Sequence, residues 1–123
     1  MSSIVIIEED DLMRGLLTEW LRAAGYAVLG PPPVGSPAGR RDLVIVDLHM
    51  PRQTGVDVVR SVREAHPGVP LIAISARFRA GLDGSWRAAQ ALGVSRLIAK
   101  PFTREDLLAA VRAVIGPAER SVA

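Results

Sequence analysis

A chain of 123 residues, 49% apolar and 23% charged, has the size and balance of one globular domain with its own core. It has no cysteine, which excludes a disulfide framework and a thiolate metal site, and no run approaches the roughly 18 apolar residues of a membrane span. The formal charge of +2 rests on arginines scattered singly or in pairs, so it reads as a solvated surface and not as a nucleic-acid footprint.

Short β-rich runs alternate with helical periods along the chain. Ile4 to Ile7 is an aliphatic run of the kind a buried strand presents. Asp10 or Asp11 stands where a helix cap belongs. Leu12, Leu16, Leu17, Trp20, Leu21 and Ala24 are then spaced to form one apolar face, stopped by Gly25. Tyr26 to Leu29 reads as a second strand. Gly30 to Gly39 holds four prolines and three glycines and forbids an ordinary helix, leaving at most one turn at Ser36-Pro37. Leu43 to Val46 is a buried strand ending at Asp47. Thr54 to Ala65 has helical spacing, stopped by Pro67-Gly68. Leu71 to Ile74 is the fourth strand, followed by a loop over Phe78 to Gly84 and a helix over Ser85 to Leu92, closed by Gly93. Leu97 to Ala99 is the fifth strand. Thr103 and Asp106 are spaced as a capping box for a last helix that buries Leu107, Leu108, Val111, Val114 and Ile115 and ends at Gly116-Pro117.

Strands alternating with helices predict an α/β fold whose parallel sheet is covered on both faces, with right-handed crossovers. Function in such folds lies beyond the carboxyl ends of the strands. Glu8, Glu9, Asp10 and Asp11 follow the first strand, Asp47 ends the third, Ser75-Ala76 the fourth and Lys100-Pro101 the fifth. Each alone has a plain explanation as a cap, a turn former or a solvated cation. Their convergence on one sheet edge is the informative feature. Lys100 is moreover the chain's only lysine beside fourteen arginines. Clustered carboxylates repel unless a cation joins them, and an all-oxygen donor set without cysteine suits Mg²⁺. A carboxylate can attack phosphorus, and an ammonium, a hydroxyl and Mg²⁺ are the groups that stabilise a transferring phosphoryl.

With those residues in view, the chain resembles bacterial two-component response-regulator receiver domains of the CheY-like, single-domain kind. Asp47-Leu48-His49-Met50-Pro51-Arg52-Gln53-Thr54-Gly55 is similar to the family's phosphoacceptor segment. Lys100-Pro101-Phe102 is similar to its Lys-Pro-Phe, Glu8-Glu9 to its acidic pair, and Ser75-Ala76 to its hydroxyl residue followed by Ala. The resemblance runs from about Ile4 to Ile115. It implies a flavodoxin-like doubly wound five-stranded parallel sheet of order 2-1-3-4-5, with the second helix shortened or missing. It implies a single receiver domain over 1–123 with a core of about 4–115 and no output domain. Asp47 would be the phosphoacceptor, with Ser75 and Lys100 contacting the phosphoryl group. Glu8, Glu9, Asp47 and the backbone carbonyl of His49 would hold Mg²⁺, the His49 imidazole taking no part. The family usually has a cis bond between Lys and Pro, which would aim Lys100 inward. Such a protein is cytoplasmic, is not an enzyme beyond its own phosphorylation and dephosphorylation, and takes its phosphoryl group from a histidine kinase or phosphotransfer protein. Its downstream partner would meet the fourth helix, fifth strand and last helix, near exposed Trp86, Arg87, Gln90, Leu97 and Arg112; a homodimer is allowed, and membrane or nucleic-acid partners are not expected.

The sequence also departs from the family. Glu9 replaces the Asp that usually ligates the metal, moving the carboxylate by about 1.5 Å. Leu97 occupies the place of the aromatic residue whose swing usually carries the output. The Pro/Gly stretch replaces most of the second helix, and the loop from Arg77 to Gly84 is longer than usual and carries Phe78. These departures motivate an alternative, a pseudo-receiver that docks proteins without using phosphate. A small phosphatase or nucleotide-binding enzyme is disfavoured. No second Asp stands two residues after Asp47, and no Gly-rich loop follows the first strand.

Overall fold

Runs of Ile, Val and Leu too short for helices form the five strands: β1 (Ser3–Ile7), β2 (Ala27–Leu29), β3 (Leu43–Asp47), β4 (Leu71–Ser75) and β5 (Arg96–Ala99). The structure, a computed structural model, describes residues 2–29, 41–48, 55–75, 90 and 93–117. The strands are parallel in the order β2-β1-β3-β4-β5, the order expected. The described helices are α1 (Asp11–Ala23), α2 (Gly55–Ala65) and α3 (Arg104–Ile115). The expected helix over 85–92, the loop over 78–84 and the Pro/Gly segment over 30–39 lie outside the described residues, except that Gln90 is helical and exposed.

Period-two alternation sends each strand's side chains into two cores, one on each face of the sheet. Ile4, Ile6, Leu43, Ile45, Ile72, Ile74 and Ile98 pack against Leu17 and Leu21 of α1 and Leu107, Leu108 and Val111 of α3. Val5, Val44, Val46, Leu71, Ala73 and Leu97 pack against Val59 and Val62 of α2. The strand residues facing α1 and α3 are thus mostly isoleucine, whereas those facing α2 mix Val, Ala and Leu.

Two sequence expectations need correction. The apolar face of α1 is Met13, Leu17, Trp20, Leu21 and Ala24, whereas Leu12 is 86% exposed and Leu16 is also exposed. Leu12 lies one residue ahead of Met13 and so about 100° round the helix from the buried stripe, beyond its width. Leu97, expected on the exposed output surface, is only 8% exposed. Its place opposite Ala73 in the β4–β5 register puts it in the α2-side core.

Local devices fix the ends. Asp10 caps α1 through its Oδ1, which accepts from the backbone N–H groups of Leu12 at 2.9 Å and Met13 at 3.4 Å. Gly25, at a φ of 98°, then turns the chain into β2, a conformation that suits glycine. The expected capping box is present: Asp106 N–H donates to Thr103 Oγ1 and Thr103 N–H donates to Asp106 Oδ2, both at 3.0 Å. Tyr26 O–H donates to the Gly116 carbonyl at 2.8 Å, tying the start of β2 to the end of α3. Burial pushes that phenol above its ordinary range.

Candidate functional site at the carboxyl edge of the sheet

The chain runs from β1 to β2 on one side and then crosses to β3 on the other, so the strand order reverses between β1 and β3. Ligands bind beyond the strand ends at such a reversal. Ile7 pairs with Val46, so Glu8 and Asp47 emerge side by side, one register step further on. Both are buried, an environment carboxylates enter only with partners. Asp47 pairs with Ile74 and Ser75 with Ala99, and the ladder continues through Leu48 N–H to the Ile74 carbonyl and Lys100 N–H to the Ser75 carbonyl. Strand pairing alone therefore brings Glu8, Asp47, Ser75 and Lys100 to one edge.

Lys100 closes the site. Its Nζ lies 2.6 Å from Asp47 Oδ2, with the Lys side chain 26% exposed and the Asp side chain 1% exposed. The Lys100–Pro101 bond is cis, as the family resemblance implies. Phe102 packs edge-on against Trp20 of α1, ring centroids 6.4 Å apart, so the segment carrying Lys100 is anchored to α1. An apolar groove of about 470 Å³ runs beside it, lined by Met13, Leu16, Trp20, Lys100, Pro101 and Phe102.

The acidic loop is held by its own contacts. Asp10 N–H donates to Glu8 Oε1 at 2.9 Å, while Glu9 is exposed. Arg14, which sequence reasoning passed over, reaches back from the first turn of α1 to donate through Nη1 to the Glu8 carbonyl at 3.0 Å and through Nη2 to Asp11. Its signal in the sequence was an arginine six residues beyond the first acid, on the same first turn.

The expected sites thus divide plainly. Glu8, Asp47, Ser75 and Lys100 meet at the strand ends, Glu9 is exposed immediately beside them, and His49 lies outside the described residues. Among the described residues no group of three or more His, Cys, Asp or Glu side chains is placed to hold a metal. The donor chemistry nevertheless fits Mg²⁺, which takes one or two carboxylates, keeps several waters and prefers hard oxygen. Buried Glu8 and Asp47 supply that pair.

A family model described as the response regulator receiver domain matches residues 4–112 of this sequence. The chain belongs to that family. The receiver domain is 33% identical over 120 residues to the transcriptional regulatory protein PdtaR of Mycobacterium tuberculosis, covering 91% of this chain and 56% of that protein. It is 28% identical over 119 residues to the transcriptional regulatory protein CpxR of Escherichia coli, covering 94% of this chain and 50% of that protein. It spans about half the length of these curated relatives. A response regulator receiver protein from Burkholderia phymatum superposes with a TM-score of 0.72 at 29% identity, covering 96% of this chain and 98% of that one. The receiver domain is therefore a component of two-component signalling, a family of signalling modules served by histidine kinases and one that usually binds Mg²⁺. No described helix is long and apolar enough to cross a membrane.

Proposed function

We propose that this receiver accepts a phosphoryl group on Asp47, with Mg²⁺, and passes the signal on through a change in the surface it shows a partner. The observation that carries the reading is the contact between Lys100 Nζ and the buried Asp47 carboxylate, with Glu8 and Ser75 at the same sheet edge. An Asp47 carboxylate oxygen attacks phosphorus, and the P–N bond to the donor imidazole breaks. The imidazole leaves with the electron pair and takes up a proton. Lys100 then pairs with a phosphoryl oxygen and the Ser75 hydroxyl donates to another. Glu8, Glu9, Asp47 and the His49 carbonyl would hold the ion; bound there, Mg²⁺ would offset charge on the phosphoryl oxygens.

The donor is a histidine kinase or phosphotransfer protein, which has to cover the rim of the site to deliver its phosphoryl group. Exposed Leu16 lines the groove beside Lys100, and exposed Leu12 stands on the first turn of α1. For output, Gln90 and Arg112 are exposed and available to a partner, whereas Leu97 is buried and is not. The partner that receives the signal is a downstream protein in the cytoplasm.

The test is intact mass after incubation with a small acyl phosphate and Mg²⁺. One phosphoryl adduct is expected on the native chain and none on Asp47→Asn or after chelation of the metal. An adduct of equal yield on Asp47→Asn would refute the assignment. No adduct on the native chain, together with partner binding unchanged in Asp47→Ala, would select a phosphate-independent docking module instead.

A further inference from the structure

We infer that Arg14 is a positioning residue for the acidic pair, setting how tightly the site binds Mg²⁺; this rests on the reading just given. The loop from Glu8 to Asp11 carries four consecutive carboxylates between a strand and a helix. Left alone, such a run spreads under its own repulsion. Three bonds oppose that. Asp10 N–H holds Glu8 Oε1, Asp10 Oδ1 caps α1, and Arg14 bridges the two ends.

Arg14 spans the loop from end to end. Its Nη1 donates to the Glu8 carbonyl at 3.0 Å and its Nη2 to the Asp11 carboxylate, while its own N–H donates to the Asp10 carbonyl at 2.9 Å. The guanidinium is suited to this task because its donors form a rigid fork that can take two acceptors at once. With the Glu8 carbonyl fixed, the peptide between Glu8 and Glu9 has one orientation. The carboxylates of both residues then leave the backbone from defined points. The same cation lowers the mutual repulsion of the acids without occupying the position an ion would take, since it binds a carbonyl and the distal Asp11. Arg14 therefore acts through Glu8 and Glu9, as groups behind a metal's direct ligands orient those ligands elsewhere.

The experiment measures metal binding by calorimetric titration of the full chain with Mg²⁺, with thermal unfolding of the metal-free protein in parallel. Arg14→Gln is expected to weaken Mg²⁺ binding roughly tenfold. Its metal-free unfolding midpoint should move little, because the Arg14–Asp11 pair is largely exposed. Arg14→Lys, which keeps the charge but reaches one acceptor, should recover part of the affinity. Asp11→Asn, which leaves the bond to the Glu8 carbonyl in place, should stay near native. Should Arg14→Gln fail to fold, the Lys and Asn variants carry the comparison. Native affinity in both Arg14 variants, with binding still lost in Asp47→Asn, would overturn the role of Arg14 alone. No Mg²⁺ binding by the native chain would overturn the reading beneath it as well.

Discussion

A carboxylate buried as deeply as Asp47 keeps its charge through what it touches, and Lys100 is the cation at hand. Removing one member of such a pair strands the other, whereas removing both does not. Lys100→Met should therefore destabilise the native chain more than it destabilises Asp47→Asn. The coupling from a double-mutant cycle of urea midpoints should be at least about 1 kcal/mol. Additive effects would mean that the ion pair holds nothing. His66 offers a second single-residue test, on the opposite edge of the sheet. Its Nδ1 lies 3.1 Å from Arg41 Nη1. A guanidinium only donates, so Nδ1 accepts and the ring is neutral with its proton on Nε2. Burial, with Arg41 adding to it, holds the imidazole below the ordinary histidine value. The unfolded chain thus binds the proton first as pH falls. Above about pH 6.5 both states are neutral and nothing is lost. Below it, stability declines until the folded value is reached. Urea unfolding across this window should show the decline in the native chain and a flatter profile in His66→Gln.

At the scale of elements, the strands were legible because each is a short aliphatic run, the central β3 and β4 buried on both faces, and strand ends follow directly from strands. The carboxyl edge that gathers Glu8, Asp47, Ser75 and Lys100 was therefore legible too. The phase of α1 was not. Leu12 and Leu16 count as apolar in any spacing pattern, and only the tilt of the helix on the sheet decides that Met13 and Leu17 go in while they stay out. Leu97 failed for a related reason: its face depends on β5 pairing with β4, a register that the sequence does not print. The exposed pair on α1 makes a functional prediction. Leu12→Asp with Leu16→Asp should slow phosphotransfer from a protein donor roughly tenfold, the cost of removing a modest apolar anchor from an interface. Transfer from a small acyl phosphate should be unaffected, since that donor needs only the pocket. Parallel rates of adduct formation by mass would check it, and equal slowing with both donors would place the defect in the pocket. Leu17→Ala is the structural counterpart, expected to cost about 2 to 5 kcal/mol on urea unfolding because Leu17 is wholly buried.

Across the whole molecule, charge follows helix direction. Each described helix returns antiparallel to its strand, so helix starts gather at the carboxyl edge of the sheet and helix ends at the opposite one. First turns carry Asp11, Asp57, Glu105 and Asp106, and last turns carry Arg22, Arg63 and Arg112. This is the distribution that complements the helix dipoles. It gives three of the chain's fourteen arginines a role that does not invoke nucleic acid. It also adds helix-start acids to an edge that already holds Glu8, Glu9 and Asp47, against Lys100 and Arg14. A divalent cation held at that edge would relieve repulsion in the folded state, and the unfolded chain would offer it no such site. Mg²⁺ should therefore stabilise the fold by mass action, by about 2.7 kcal/mol at a hundred times its dissociation constant. Thermal melts in MgCl₂ and in NaCl at matched ionic strength separate binding from screening. The midpoint should rise with Mg²⁺ well beyond its rise with Na⁺, and Asp47→Asn should lose most of the difference. Equal shifts in the two salts would mean that the acidic edge is merely screened and holds no ion.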